Sequence, residues 1–337
     1  MDWLNVYEAF EDLPKSEKMR LFDAIKDSIF PGPKTPVDAF TKELRESRFS
    51  NGVACLHCGS VCVKRNGKYR SRQRYLCKDC GTTFNDATAT PIAGTRYPDK
   101  WKKYFEYMVQ GLTLPKIAKK LDIHISTAFY WRHKILNAIR SLDVRKLQGI
   151  VESDETFFLE SLKGKKKITH RKPRKSGGKS KMRGISHEQV CVVVAVDRTN
   201  GVVSKVAGKG RVTAKELDAV LGKTIAPKSQ LCTDSARNYK LFASKSNIEH
   251  HAVNLRKGIL IRKGIYHIQH VNAYHARLKT WVRRFNGVAT KYLDNYLFWF
   301  RFLELHKKLD EAEIQNVMLL DSCKKPNWST VQTFRTA

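Results

Sequence analysis

Long apolar runs are missing from this chain. The longest, Val190 to Val196, is seven residues, whereas a membrane-spanning helix needs about 20. A bilayer-spanning helix is therefore excluded. The opening residues Met1-Asp2-Trp3 also lack the basic start and apolar stretch of a secretion signal. The expected compartment is the cytoplasm. Acids are scarce: 32 Asp and Glu stand against 63 Lys and Arg in 337 residues, a net charge of +31. Such an excess repels itself unless an anionic partner relieves it, and nucleic acid is the usual one. A membrane surface would require a basic amphipathic helix with apolar anchors. The densest basic run, Lys163 to Arg183, instead carries Gly164, Pro173, Gly177 and Gly178 and almost no apolar residues. It reads as a loop. Wholesale disorder is excluded too, because 42% hydrophobic and 10% aromatic residues suffice for real cores. At about 150 residues per domain, the length predicts two or three domains.

Cysteines are few, but four are patterned. Cys55 and Cys58 form one C-x2-C pair, Cys77 and Cys80 another, with 18 residues between the pairs. Two knuckles that each present a thiolate pair suit tetrahedral zinc. Gly59 and Gly81 each follow a pair and let the chain turn its amides toward sulfur. Disulfides are the alternative, which a cytoplasmic setting disfavours. Lys64, Arg65, Lys68, Arg70, Arg72 and Arg74, interleaved with Tyr69 and Tyr75, make the intervening hairpin a basic surface. Residues 50–90 are thus expected to be a zinc ribbon that binds DNA. Cys62 is expected to be a free thiol, and Cys191, Cys232 and Cys323 ordinary core or surface cysteines. Before the ribbon, residues 1–48 read as small helices. Met19, Phe22, Ile25 and Ile29 recur at helical spacing until Pro31-Gly32-Pro33 stops them. A packing or dimerising role fits this segment.

Residues 98–142 read as a helix-turn-helix. Trp101, Phe105, Met108 and Val109 give the first helix an apolar face. Leu114 to Leu121 forms the second, and Asp122-Ile123-His124 turns the chain. Ser126 or Thr127 is expected to cap a third helix through Phe129, Trp131, Ile135 and Ile139. Its expected outer side offers Ser126, Thr127, Tyr130, Arg132, His133 and Lys134. Those are short polar groups for base edges and cations for phosphates. A purely structural three-helix bundle is the competing reading.

Residues 150–310 alternate strands and helices. Ile150–Phe158 and Val190–Val196 read as strands, and Asn200-Gly201 turns the latter into Val202–Val206. Thr213 and Glu216 form a capping box. Strands at Gln230–Thr233 and Ile248–Val253 follow, then a helix from His270 to Phe285. This order resembles a ribonuclease H-like domain. Asp154 and Asp234 each lie at the end of a short apolar strand expected at the centre of the sheet. Paired carboxylates there repel unless a divalent cation, magnesium or manganese, lies between them. Glu152 and Glu155 are second choices, expected on the opposite face of the strand or at its exit. Asp197 is expected to serve a turn. Trp281, Phe298, Trp299 and Phe300 are expected in the core. Residues 311–337 form a tail, with 324–337 polar and frayed.

Together, the Cys55 to Cys80 ribbon, Val151-Glu152-Ser153-Asp154-Glu155-Thr156, Thr233-Asp234 and His270-Val271-Asn272 resemble one family. It is the bacterial insertion-sequence transposases of the DDE type with an ISXO2-like catalytic domain. The resemblance spans roughly residues 50–305. It implies a multidomain α/β protein with a ribonuclease H-like catalytic core behind an N-terminal zinc ribbon and helix-turn-helix. It also implies metal-dependent cleavage of DNA 3′ ends and strand transfer at transposon terminal repeats. A homodimer or larger assembly would hold two ends together. Asp154 and Asp234 would be the first two catalytic acids. The family pattern His-x-Asn-x-x-Glu stands here as His270 to His275, with histidine in place of glutamate. Asn272, His275 and Lys279 share a helical face. Imidazole binds metals or moves protons, and an amide offers a carbonyl oxygen. His275 is the expected third group, Asn272 the competing ligand, and Lys279 or Arg283 a phosphate contact. Lys165, Lys166, Arg171 and Lys172, in the basic loop after the first catalytic strand, are expected to clamp DNA phosphates. The alternative is a catalytically inactive DNA-binding regulator.

Overall fold

The computed structural model describes residues 36–69, 72–142, 145–165, 167–169, 171–174, 178–254 and 257–336, with isolated positions between 7 and 25. The chain divides into two compact units, Met1–Thr88 with Ile92–Trp101, and Ala89–Pro91 with Lys102–Ala337.

In the first unit, helix α1 (Pro36–Phe49) precedes three antiparallel strands, β1 (Val63–Tyr69), β2 (Arg72–Cys77) and β3 (Thr83–Asn85), in that order. Their core is small: Cys55, Cys77 and Phe84 pack with Phe49, Val53, Leu56, Val63 and Tyr75. The Tyr75 and Phe84 rings stack at 5.6 Å. Arg72 is tied to buried Asp86 at 3.0 Å. Phe22 and Ile25, expected on a packed helix face, are exposed. Met19, Ile29 and Pro31-Gly32-Pro33 lie outside the described residues.

The second unit contains a five-stranded mixed sheet. Its strands are β4 (Ile150–Leu159), β5 (Gln189–Asp197), β6 (Val202–Lys209), β7 (Gln230–Thr233) and β8 (Glu249–Ala252). The order is β6-β5-β4-β7-β8. β4, β5 and β6 pair antiparallel as a meander, while β7 runs parallel to β4 and β8 parallel to β7. β4 is therefore central. β5 is buried on both faces, which is why it reads as an unbroken apolar run. Asp197 makes the β5–β6 turn. Its carboxylate accepts the amides of Thr199 at 2.8 Å and Gly201 at 2.7 Å, and Asn200 takes φ of +65°.

Helices α5 (Ala214–Leu221) and α6 (Arg237–Lys245) belong to one side of the sheet. There Leu217, Leu221, Tyr239 and Phe242 pack with Val151, Val193, Ala195 and Leu231. The Thr213/Glu216 capping box starts α5. Helices α7 (Gln269–Arg283) and α8 (Leu293–Leu305) take the other side, α7 against β4 and β5, α8 against β6. Trp281, Trp299 and Phe300 are buried there, and the two indoles meet edge to face at 4.9 Å. The Arg301 guanidinium covers the Phe298 ring at 4.0 Å.

Helices α2 (Lys100–Val109), α3 (Leu114–Leu121) and α4 (Ile125–Arg140) precede the sheet. Here the structure departs from the sequence reading in two ways. The cap of α4 is His124, whose ring accepts the Ser126 amide at 3.3 Å; neither Ser126 nor Thr127 caps it. Beyond its first turn, α4 is a core helix. Ala128, Trp131, Arg132, His133, Ile135, Leu136, Ala138 and Ile139 are all buried, because α3, α8 and helix α9 (Glu311–Lys324) pack around it. Residues 311–337 are accordingly not a tail. Asp310 and Glu313 form a capping box for α9, which buries Ile314, Met318, Leu319 and Cys323. A last helix, α10 (Val331–Thr336), buries Phe334. No described helix is long and apolar enough to cross a membrane.

Candidate active site and nucleic-acid interface

The sheet register brings the two aspartates together. Glu152 lies opposite Cys232 in the parallel β4–β7 pair. Asp154 follows two residues on along β4, and Asp234 is the first residue after β7. Burial foremost, then the Asp234 charge, raises the Asp154 pKa from 3.8 to about 6; the Glu155 amide and Lys279 act against this. Asp234 accepts the Ala236 amide at 3.0 Å, which fixes its carboxylate at the exit of β7. From α7, His275 places Nδ1 3.9 Å from an Asp154 carboxylate oxygen. Burial, helped by Lys279, lowers the His275 pKa from 6.5 to about 4. The ring is thus neutral near pH 7 and free to act as a ligand or base. Its buried Nε2 has no hydrogen-bond partner among the described residues.

The placement of the second-choice acids corrects the sequence reading. Side chains alternate along a strand, so Glu152 shares the face of Asp154. Its carboxylate meets the start of α7, where Oε2 accepts the amides of His270 at 2.7 Å and Val271 at 3.1 Å. Glu155 does point to the other face. It bonds Tyr239, and burial foremost, then Asp154 and Asp234, lifts its pKa from 4.5 to about 7. Asn272 is exposed one turn before His275, and Lys279 is exposed one turn after it. The helix therefore presents His275, rather than Asn272, to Asp154.

Donor atoms of three or more His, Cys, Asp or Glu residues converge within 4.8 Å at two places among the described residues. Neither is the Asp154–Asp234–His275 set, which is more open. One is Cys55, Cys58, Cys77 and Cys80. The Cys55–Cys80 and Cys58–Cys77 sulfur pairs are each 3.6 Å apart. Zinc–sulfur bonds of about 2.3 Å in a tetrahedron put sulfurs about 3.8 Å apart, so the cluster is compatible with zinc. Gly59 and Gly81, at φ of +80° and +68°, make the two knuckles and donate their amides to the Cys55 and Cys77 carbonyls. Hydrogen bonds from Thr82 lower the Cys80 pKa to about 6, which favours thiolate. Cys62 is exposed and outside the cluster. The second place, Glu152 with His267 and His270, was not anticipated. The equal parity of 152 and 154 on a strand was the signal that pointed to it.

The expected DNA contacts divide. Lys64 and Arg65 on β1, and Lys165 and Lys172 in the loop after β4, are exposed. Thr127 is half-buried, as is Lys134, whose pKa burial lowers. Arg74 lies beside Thr83 at 3.5 Å. Arg70 and Lys166 lie outside the described residues. Three residues are committed elsewhere. Arg72 pairs with Asp86. Arg171 pairs with Glu160 at 3.5 Å. Arg132, 1% exposed, donates to the Leu112 carbonyl at 2.6 Å and stacks 4.9 Å from the Trp299 ring. It is an internal strut, not an outer cation. His133 is buried as well, and burial drives its pKa down to about 3. The basic loop is also less free than its composition suggests. Glu188 gathers Arg174, the Ser180 hydroxyl and the amides of Lys181 and Met182, and its pKa falls to about 2.

The second unit is thus a mixed α/β unit with one aspartate on its central strand and another just past the adjoining parallel strand. Residues 146–304 match the ISXO2-like transposase domain. The chain is also similar to an uncharacterized protein in transposable element ISH50 of Halobacterium salinarum, 26% identical over 296 residues, covering 84% of this chain and 98% of that one. Among solved structures, the Mos1 strand transfer complex matches at TM-score 0.22 and 14% identity, covering 66% of this chain and 78% of that one. The Mos1 mariner paired end complex with Mn matches at TM-score 0.20 and 13% identity, covering 93% and 99%. Scores this low support no argument about geometry or activity.

Proposed function

We propose that the protein cuts DNA at transposon terminal repeats to expose 3′ ends and joins those ends to target DNA. The observation that carries the proposal is Asp154 on central β4 and Asp234 directly after β7, each two residues beyond the paired Glu152 and Cys232, with neutral His275 3.9 Å from Asp154. The strand order β6-β5-β4-β7-β8, an antiparallel meander continued by two parallel strands, supports a ribonuclease H-like core.

The residues fit a divalent cation such as magnesium or manganese. The Asp154 pKa is raised by burial and by the Asp234 charge, and His275 keeps a buried nitrogen without a hydrogen-bond partner. Asp154 and Asp234 would hold the cation, with His275 completing the set. Held by these residues, a cation would supply Lewis-acid activation of water or a 3′-hydroxyl and charge stabilisation at the departing oxygen. His275, uncharged near neutrality, accepts a proton or donates a lone pair without adding charge. Lys279 offsets the carboxylates and faces incoming phosphate. Buried α6 and α7 fix the backbone on both sides of β4, so the carboxylates approach the scissile phosphate with little reorganisation.

The cysteine cluster is read as structural zinc, and Lys64, Arg65 and Arg74 beside it as phosphate contacts. Thr127 and Tyr130, in the outer first turns of α4, are left as base-edge candidates; the buried remainder of α4 restricts a recognition role to those turns. Exposed Lys165 and Lys172 are read as phosphate contacts of the second unit. The domain reading follows: ribbon at 50–90, DNA-binding helices at 98–142, catalytic unit from 150 to about 310. Work on two ends implies a dimer or larger assembly acting at the nucleoid.

The test incubates purified full chain and manganese with DNA flanking its own gene. Joined products are expected from the wild type and not from Asp234→Ala or His275→Ala. Products lost only in Asp234→Ala move the third role to Asn272. Binding without any joining by the wild type overturns the enzyme reading in favour of a DNA-binding regulator.

A further inference from the structure

A further cluster of metal-donor atoms lies at the start of α7, apart from the aspartates and the cysteines. Glu152 Oε1 lies 2.7 Å from His270 Nδ1 and 3.3 Å from His267 Nδ1. Two nitrogens and an oxygen bound to zinc at about 2.0 Å in a tetrahedron sit about 3.3 Å apart. The Glu152 carboxylate is 1% exposed, and its other oxygen is locked by two α7 amides. Such outer bonds orient a ligand before the metal arrives.

The Arg198 guanidinium now stands against these donors. Its Nη1 is 2.8 Å from His270 Nδ1 and 3.0 Å from His267 Nε2, and its Nη2 is 3.0 Å from Glu152 Oε1. The hydrogen-bond count does not close. His270 Nδ1 would have to accept from Arg198 and donate to Glu152 at once. His267 Nδ1 would likewise have to accept the Gln269 amide and carry the N–H that faces Glu152 Oε1, because its Nε2 faces the arginine donor. A dication that takes both Nδ1 lone pairs and one carboxylate oxygen resolves the conflict. Two imidazoles and one carboxylate suit zinc and leave a fourth position open. Arg198 sits in the β5–β6 turn with a partly exposed side chain, so it can swing to solvent.

We propose that Glu152, His267 and His270 bind a transition-metal dication of the zinc class, in competition with Arg198. The metal would fasten the first turn of α7, and with it His275, to the central strand. This does not depend on the chain cutting DNA.

The test counts zinc in gel-filtered full chain by elemental analysis, supplemented by cobalt titration. Two zinc per chain are expected in the wild type. His267→Gln and His270→Gln should each lose one and keep the ribbon's, which also reports that they fold. Cobalt at the cysteines gives intense sulfur-to-metal absorption, whereas the Glu/His site adds only weak visible bands. Arg198→Ala leaves all three donors intact and should tighten cobalt binding by about tenfold or more, since a competing cation is gone. One zinc in the wild type, together with no second cobalt in Arg198→Ala, overturns the proposal. So does retention of the second metal by both histidine variants.

Discussion

Asp154→Asn in the metal-free protein should trade activity for stability, and the size can be worked out. The Asp154 pKa rises from 3.8 to about 6 on folding. Each pH unit of difference corresponds to about 1.4 kcal/mol, so ionised Asp154 opposes folding by about 3 kcal/mol well above pH 6. The sign follows from proton counts. Between about pH 4 and pH 6 the native state binds more protons than the unfolded state, so stability falls as pH rises through that window. Above it the penalty is constant. At pH 5 it is about half its full value. Asparagine keeps the shape and removes the charge. In EDTA, the variant's catalytic unit should therefore melt higher than wild type at pH 8, by about 5 °C or more. The gain should be about halved at pH 5. Saturating manganese should shrink the difference at pH 8, because it stabilises only the wild type. Scanning calorimetry or hydrogen exchange on the catalytic unit reads this out. Equal gains at pH 5 and pH 8, or no gain at either, would falsify the claim that β4 holds an uncompensated carboxylate awaiting a cation.

The remaining predictions test other parts of the chain. Arg132→Ala should cost about 2–3 kcal/mol, through the lost bond to Leu112 and the vacated place against Trp299, yet leave DNA affinity unchanged within about twofold. A DNA-specific loss at full stability would return Arg132 to the interface. Stripping zinc with a strong chelator should melt the β1–β3 sheet, whose apolar core is too small to stand alone; unchanged amide dispersion for 63–85 in NMR spectra argues against this. Glu188→Gln should free the loop that its carboxylate gathers, so trypsin should cut after Lys181 or Arg183 several-fold faster. Lys165→Ala with Lys172→Ala should weaken binding to all DNA sequences alike and reduce the salt slope by about 2.

Much of the fold was legible because it rests on local rules. The C-x2-C knuckles, the Thr213/Glu216 box and the Asn200-Gly201 turn each specify backbone within a few residues. The β-branched run of β5 announces a strand buried on both sides. The sheet's order of elements was readable for the same reason. What could not be read was which side of an element its neighbours would cover. The third helix of the 98–142 segment buries Arg132 and His133 beside its apolar residues. Arg132 and His133 look like an outer face only while α8 and α9 are unknown. Those helices come more than 150 residues later and arrive on that side, so Arg132 and His133, expected to face DNA, became internal. The same distance in sequence hid α9, whose apolar residues read as a tail until α4 supplied a surface for them.

Glu152 shows a different failure, one of parity rather than of distance. Residues 152 and 154 differ by two, so a strand that points Asp154 at α7 must point Glu152 there as well. The consequence reaches the site itself. A carboxylate buried at the start of α7, with both oxygens engaged, sets the helix's height along β4. His275 follows five residues later on the same helix and reaches Asp154 at 3.9 Å. A histidine is shorter than the glutamate that the family pattern places at this position, and it reaches only if the helix is drawn close. The Glu152–His270 anchor supplies that closeness. Swapping the third group alone, as in His275→Glu, should therefore crowd a longer acid against Asp154 and add a third negative charge. Metal-free stability at pH 8 should drop, in the opposite sense to Asp154→Asn, and a rise instead would mean that the anchor does not fix the distance between α7 and β4.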